Sequence, residues 1–233
     1  MKFRSLWVAL LVAFVALDGA VVERHARAGS DVDLLLVIAL DVSASVDEAE
    51  YDLQREGFAR ALTSPEVVDA IADGIHKSIA VNVVQWSGFI EQKVEIDWVK
   101  ISNTDDLSRL ADRVRRMARR YNGGATDIGA AITFCQKLFS SSPYSSVRWV
   151  IDIAGDGTNN VNYSPRFERD RVVAIGTKIN GLAVAETDKL VVYFRENVIG
   201  GVGSFVESAT DYGAFEHAMR RKLAREIGED FLF

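Results

Sequence analysis

The sequence predicts an open α/β sheet, doubly wound and mostly parallel, with about six strands, one antiparallel hairpin strand and helices on both faces. Three observations predict it. Residues 34–40 form an unbroken apolar run rich in Leu, Val and Ile, the composition of a strand covered on both sides. Apolar runs of strand length alternate along the chain with helical patterns. Two of those runs, ending at Leu40 and Ile153, pass into polar clusters: Asp41-Val42-Ser43-Ala44-Ser45 and Gly155-Asp156-Gly157-Thr158-Asn159-Asn160. The carboxyl ends of central strands are where such sheets build ligand sites.

The elements follow in order. Residues 31–40 are the first strand. Ser45 or Asp47 caps the next helix, which carries Glu48 and Glu50 in its first turn and Tyr51, Phe58 and Leu62 on its apolar side. Pro65 starts a shorter helix over 66–72, which Gly74 stops. Residues 78–86 alternate in part and read as a strand, and Ser87-Gly88 turns it into a hairpin with a strand over 89–98. Asp105 or Asp106 opens a helix through Arg120, broken by Asn122-Gly123-Gly124. Residues 125–141 are helical, with Ile128, Ala131, Ile132, Cys135 and Leu138 as the buried stripe. A strand over 146–153, a helix from Pro165 or Arg166 to Thr177, a strand over 178–185 and a short helix over 188–198 come next. Residues 204–207 form a short edge strand. Residues 212–227 form a last amphipathic helix, with Phe215, Met219, Leu223 and Ile227 on one side.

A chain of 233 residues, 48% hydrophobic and 26% charged, suits one domain with a full core. Its beginning differs from the rest. Lys2 and Arg4 precede an apolar run over 6–17, of signal-peptide length and too short to span a bilayer. Ala26-Arg27-Ala28 offers a cleavage site. The reading is a signal peptide over 1–28, cleaved after Ala28, and one domain over 29–233 that is periplasmic or secreted. An uncleaved anchor and cleavage nearer Ala20 are the alternatives. Without residues 1–28 the chain carries 23 basic and 31 acidic residues, a balance of −8. Such an acidic domain is a poor ligand for nucleic acid. No later run approaches transmembrane length. The lone Cys135 reads as a buried small hydrophobe, and a single domain is compatible with a monomer.

The chemistry lies at strand ends. Asp41, Ser43 and Ser45 follow the first strand, Thr126 follows the Gly123-Gly124 turn, and Asp156 follows the strand ending at Ile153. In a doubly wound sheet these positions share one crevice. All five offer hard oxygen and none offers thiol or imidazole, which favours Mg²⁺, with Mn²⁺ or Ca²⁺ as alternatives, over zinc. Three hydroxyls with two carboxylates that act through water neutralise a divalent cation incompletely, so a coordination position stays open to an acidic side chain of a protein partner. Asp127 reads as a first-turn helix acid, and Asp152 either hydrogen-bonds near the site or pairs with Arg148. Arg113, Arg115, Arg116, Arg119 and Arg120 form either a solvated helix end that complements the helix dipole or a basic rim that steers an acidic partner. Arg220, Arg221, Lys222 and Arg225 read as the exposed face of the last helix.

D-V-S-A-S at 41–45, G-G-A-T-D at 123–127 and G-D-G-T-N at 155–159 resemble, in order and spacing, the von Willebrand factor A domain and its metal-ion-dependent adhesion site. The resemblance covers about residues 31–227. It implies a Rossmann-like A-domain fold, with Ser43, Ser45 and Thr126 as direct ligands and Asp41 and Asp156 as direct or water-bridged ones. A partner Asp or Glu would complete the coordination. Q-W-S-G at 85–88, D-x-x-G-D-G-x-N-N at 152–160 and V-I-G-G-x-G-x-F at 198–205 also resemble a bacterial family of secreted A-domain-like proteins of unknown function.

Catalytic motifs are missing. His76 and His217 stand in none, and H-E-x-x-H, G-x-S-x-G and a Walker lysine are absent. The reading is therefore a binding module and not an enzyme. A metal-dependent hydrolase using the same site is the alternative. Asn162-Tyr163-Ser164 matches a glycosylation sequon, of little weight behind a bacterial-type leader.

Overall fold

The computed structural model describes residues 30–161 and 163–228. The expected leader over 1–28, its cleavage site and Asn162 lie outside the described residues.

Strand β1 (Leu34–Asp41) is buried along its whole length. It lies between β2 (Ile79–Trp86) and β4 (Trp149–Gly155) and is parallel to both. With β3 (Gln92–Ile101), β5 (Lys178–Val184) and β6 (Val206–Ala209) these strands form one six-stranded sheet in the order β3-β2-β1-β4-β5-β6. Only β3 runs antiparallel, across the hairpin from β2. The unbroken apolar run of β1 now has its reason. Leu34, Leu36, Ile38 and Leu40 enter one core, and Leu35, Val37 and Ala39 enter the other.

The first core is closed by α1 (Glu48–Leu62), α2 (Pro65–Ala72), α3 (Thr104–Arg115) and α7 (Phe215–Gly228). The second is closed by α4 (Ile128–Leu138), α5 (Arg166–Ala174) and α6 (Asp188–Asn197), and holds the buried Cys135. No described helix is long and apolar enough to cross a membrane. The architecture is the expected one, a doubly wound α/β sheet with one antiparallel pair.

Several boundaries shift, because a side chain or a tight turn captures backbone that a regular element would use. Helix α3 stops at Arg115 instead of reaching Arg120. The carbonyl of Met117 accepts from Tyr51 Oη (3.1 Å) and Arg55 (3.0 Å), that of Ala118 accepts from Gln85 Nε2 (3.0 Å), and the Arg120 N–H donates to Gln85 Oε1 (2.8 Å). Helix α4 begins at Ile128, because Asp127 is its N-cap and accepts from the Ala130 N–H. Strand β3 starts at Gln92, because the Ser87 and Glu91 amides close a turn across 87–91. Of the two proposed caps for α1 it is Asp47 that serves, in a capping box with Glu50.

One expectation fails outright. Lys222 is not part of an exposed helix face: it is fully buried beneath the sheet. Its Nζ lies 2.7 Å from Asp152 Oδ1 and also binds Glu226. Asn180 donates to Glu226 Oε1 (2.7 Å) and accepts from the Phe205 N–H (3.1 Å). Asp152 therefore pairs with Lys222, whereas Arg148 donates to the carbonyls of Glu226 and Ile227. Burial pushes the Asp152 carboxyl up to about 7 against the pull of Lys222. A helix pattern marks Lys222 as polar but cannot show that an acid at the middle of β4 waits below it.

Candidate metal centre

Strand order reverses direction between β1 and β4, and the crevice at such a switch point lies beyond the carboxyl ends of those two strands. Asp41 is the last residue of β1, Asp156 follows the end of β4, and Thr126 lies in the loop that enters α4. The structure brings all five expected residues together there. Ser45 Oγ is 2.5 Å from Asp156 Oδ1, Ser43 Oγ is 3.2 Å from Ser45 Oγ, and Thr126 Oγ1 is 3.2 Å from Ser43 Oγ. Asp41 Oδ1 accepts from the Ser43 N–H at 2.8 Å, which turns the chain sharply at the strand end.

The electrostatics of this cluster are unbalanced. Asp41 is fully buried and its Oδ2 has no hydrogen-bond partner. Burial, opposed by Ser43 and reinforced by Asp156, pushes its carboxyl up to about 7. Burial also raises Asp156, against the hydrogen bond from Ser45. Two desolvated carboxylates close together raise one another's proton affinity, and a cation between them would relieve both. An orphaned carboxylate oxygen beside three hydroxyls and a second carboxylate fits a hard divalent cation. Among the described residues no group of three or more His, Cys, Asp or Glu is placed to hold a metal. The donor set is hydroxyl-rich, and imidazole and thiolate are absent from it.

Neighbouring residues fix these positions, in roles that the sequence does not announce. Arg119 is only 10% exposed and lies neither on a solvated helix end nor on a free basic rim. Its guanidinium donates to the carbonyls of Ser43 (3.1 Å), Val42 and Val46, clamping the loop that carries Ser43 and Ser45. Arg120 forks onto Glu95, and Arg115 binds Glu56 and Asp112, so these charges are largely spent. Asn160 holds the threonine loop: its Oδ1 accepts from the Thr126 N–H at 2.8 Å, and its own N–H donates to the Thr126 carbonyl at 3.1 Å. Asn159 Oδ1 accepts from the first amide of α4 at 2.9 Å. Ser87, one residue past β2, binds the Ala125 carbonyl through its hydroxyl and the Asp127 N–H through its own carbonyl. The signal for the asparagines was the paired amides of G-D-G-T-N-N directly after a candidate ligand. Arg119 had no comparable signal in an arginine-rich segment.

Glycines leave room for this packing. A Cβ on Gly155 would stand 2.9 Å from Asp41 Oδ2. Gly124, at φ +156°, is strained for any other residue, and a Cβ there would collide with the Glu91 carboxylate and the Ser87 hydroxyl.

Solved structures share this architecture. Proximal thread matrix protein 1 from the mussel byssus superposes with a TM-score of 0.64 at 15% identity, over 86% of this chain and 48% of that one. A second structure of that protein, described as having a zinc-occupied MIDAS motif, gives 0.63 at 16% identity, over 86% and 49%. The von Willebrand factor domain of the type V pili tip protein Mfa5 from Porphyromonas gingivalis gives 0.59 at 10% identity, over 88% of this chain and 98% of that one. The chain spans about half the length of the mussel protein. At these identities the likeness is one of fold, and the fold is that of von Willebrand factor A domains. No curated protein sequence matches the chain. A family model does match it, over residues 31–231, and the chain belongs to that family, described as Protein of unknown function (DUF1194).

Proposed function

We propose that this domain binds a protein partner through a divalent cation. Ser43, Ser45 and Thr126 would hold the ion directly, and Asp41 and Asp156 directly or through water. When bound, the cation supplies an electrophilic position that accepts an Asp or Glu of the partner. The observation that carries this reading is Asp41 Oδ2, fully buried and unpartnered at the crevice where the other four oxygens meet. Such an atom costs stability unless a cation or a donor satisfies it. Mg²⁺ is the proposed ion, because every donor is hard oxygen. The mussel protein with zinc at such a motif makes the comparison with Zn²⁺ worth measuring. The module acts as a monomer in the periplasm or outside the cell, after removal of residues 1–28.

The reading is not an enzymatic one. His76 sits by Asp33 at the opposite end of β1, and His217 binds Arg220 on α7, so neither imidazole is placed to serve the crevice. The test is selection of displayed random peptides on the chain in Mg²⁺. Enriched peptides carry an Asp or Glu, and they dissociate in excess chelator and fail to bind Thr126→Ala. Binding that persists in chelator contradicts the proposal. So does turnover of phosphoesters or peptides that is lost in Asp156→Ala.

A further inference from the structure

The exposed large aromatic side chains among the described residues, Phe89 (76% exposed), Tyr163 (80%) and Phe167 (74%), all line one groove, and Ile90 (83%) joins them. The groove encloses about 600 Å³. Its floor is the first half of α4, at Gly129, Ala130, Thr133 and Phe134. One wall is the turn between β2 and β3, and the other is Tyr163 and Ser164 with Phe167 and Glu168 of α5. Scattered exposed apolar residues need no explanation, but a cluster of aromatics around one concavity marks an interaction surface.

The groove and the metal centre are built from the same loops. Asp127 lines the groove and directly follows Thr126. Ser87 ties the Phe89–Ile90 turn to Ala125 and Asp127. Asn159 bridges the first amide of α4 to the Tyr163 carbonyl, its Nδ2 donating there at 2.8 Å. Both walls therefore hang from the segments that carry Thr126 and Asp156. The two acids of the lining are engaged within the fold, and Asp127 caps α4 at the Ala130 N–H. Glu168 is engaged by Arg171 and Thr133, and Lys137 lines the same groove.

We infer that the groove is a second subsite of the partner surface and receives a large apolar side chain lying within a few residues of the carboxylate that completes the cation's coordination. The occupant is thus a partner segment that pairs Asp or Glu with Phe, Trp, Leu or Ile at a fixed short spacing. An extended segment advances only ~3.3 Å per residue, so a few residues join adjacent subsites. This rests on the reading of the crevice as a carboxylate-accepting metal centre.

The test uses displayed random short peptides selected on the chain in Mg²⁺, with the winners measured against Phe89→Ser, Phe167→Ser and Thr126→Ala. Because Phe89 and Phe167 are exposed, their variants keep the wild-type melting midpoint. The expected consensus pairs an acid with a large apolar residue, and each serine variant weakens it about tenfold while chelator abolishes it. Peptides sensitive to chelator but indifferent to both serine variants overturn the groove and leave the metal reading standing. Peptides sensitive to the serine variants but indifferent to chelator and to Thr126→Ala overturn the metal reading, and the pairing of subsites with it. A concentration-dependent dimer abolished by Phe167→Ser assigns the groove to a second copy of the chain and overturns the proposal, as does a selection that enriches nothing.

Discussion

Ser45 Oγ lies 2.5 Å from Asp156 Oδ1 across 111 positions of sequence. One residue follows β1 and the other follows β4, so the contact exists only because those strands are neighbours in the sheet. Ser45 also stands 3.2 Å from Ser43, which stands 3.2 Å from Thr126. A change at any supporting loop therefore reaches all of these oxygens.

Arg119→Ala removes the Nη2 donors that reach the carbonyls of Val42, Ser43 and Val46. Charge-assisted bonds of this kind contribute about 1.5–3 kcal/mol each when buried, and partners that orient ligands typically change metal affinity by about 10–100-fold. We expect a stability loss of about 2 kcal/mol in urea denaturation and at least about tenfold weaker divalent-cation binding. Equal cation affinity in Arg119→Ala contradicts the clamp.

Asn160→Ala takes away the acceptor that holds the Thr126 N–H at 2.8 Å. The expected cost is about 1 kcal/mol of stability, with cation affinity falling by about tenfold or more. A calorimetric titration beside the wild type checks it.

Lys222→Met leaves Asp152 and Glu226 facing one another with their shared cation gone. Breaking a buried charge pair by removing one partner costs about 3–5 kcal/mol. Arg221→Met, which loses only a half-exposed bond to Glu207, changes stability by about 0.5 kcal/mol or less. Chemical denaturation of the two variants measures the contrast.

Asp152 also predicts a pH dependence. Its folded-state carboxyl is raised to about 7 from an ordinary value of 3.8, so between those limits the folded chain holds a proton that the unfolded chain has lost. The contribution of Asp152 therefore favours folding at low pH and declines as pH rises towards about 7. Asp152→Asn lacks this decline. Its stability relative to the wild type should rise between about pH 4 and 7, read from urea midpoints across that range. A difference that is flat with pH contradicts the assignment.

Much of this was legible in the sequence because it is local. The apolar run of β1, the break into Asp41-Val42-Ser43-Ala44-Ser45 and the Gly-rich entry to Thr126 each carry their own pattern, and the switch-point rule brings them together. What was illegible depends on partners far apart in the chain. Arg119 looks like its neighbours in a basic helix end until the loop at 42–46 is folded beneath it. Lys222 sits in a helix whose basic residues Arg221 and Arg225 are exposed, and the acid of β4 that it meets lies 70 positions away. The boundaries of α3 and β3 were missed for the same reason, since Tyr51, Gln85 and Ser87 claim backbone that propensity assigns to regular structure.

The most direct measurement is calorimetric titration of the chain with Mg²⁺, with Mn²⁺, Ca²⁺ and Zn²⁺ in parallel, beside Thr126→Ala. We expect saturable binding of one divalent ion and a melting midpoint that rises with ion concentration, as ligation of the folded state requires. Both should be lost in Thr126→Ala while its fold is retained. A wild-type chain that gives neither heat nor stabilisation with any of these ions, or a Thr126→Ala variant that binds as well as the wild type, contradicts the assignment of a cation to this crevice.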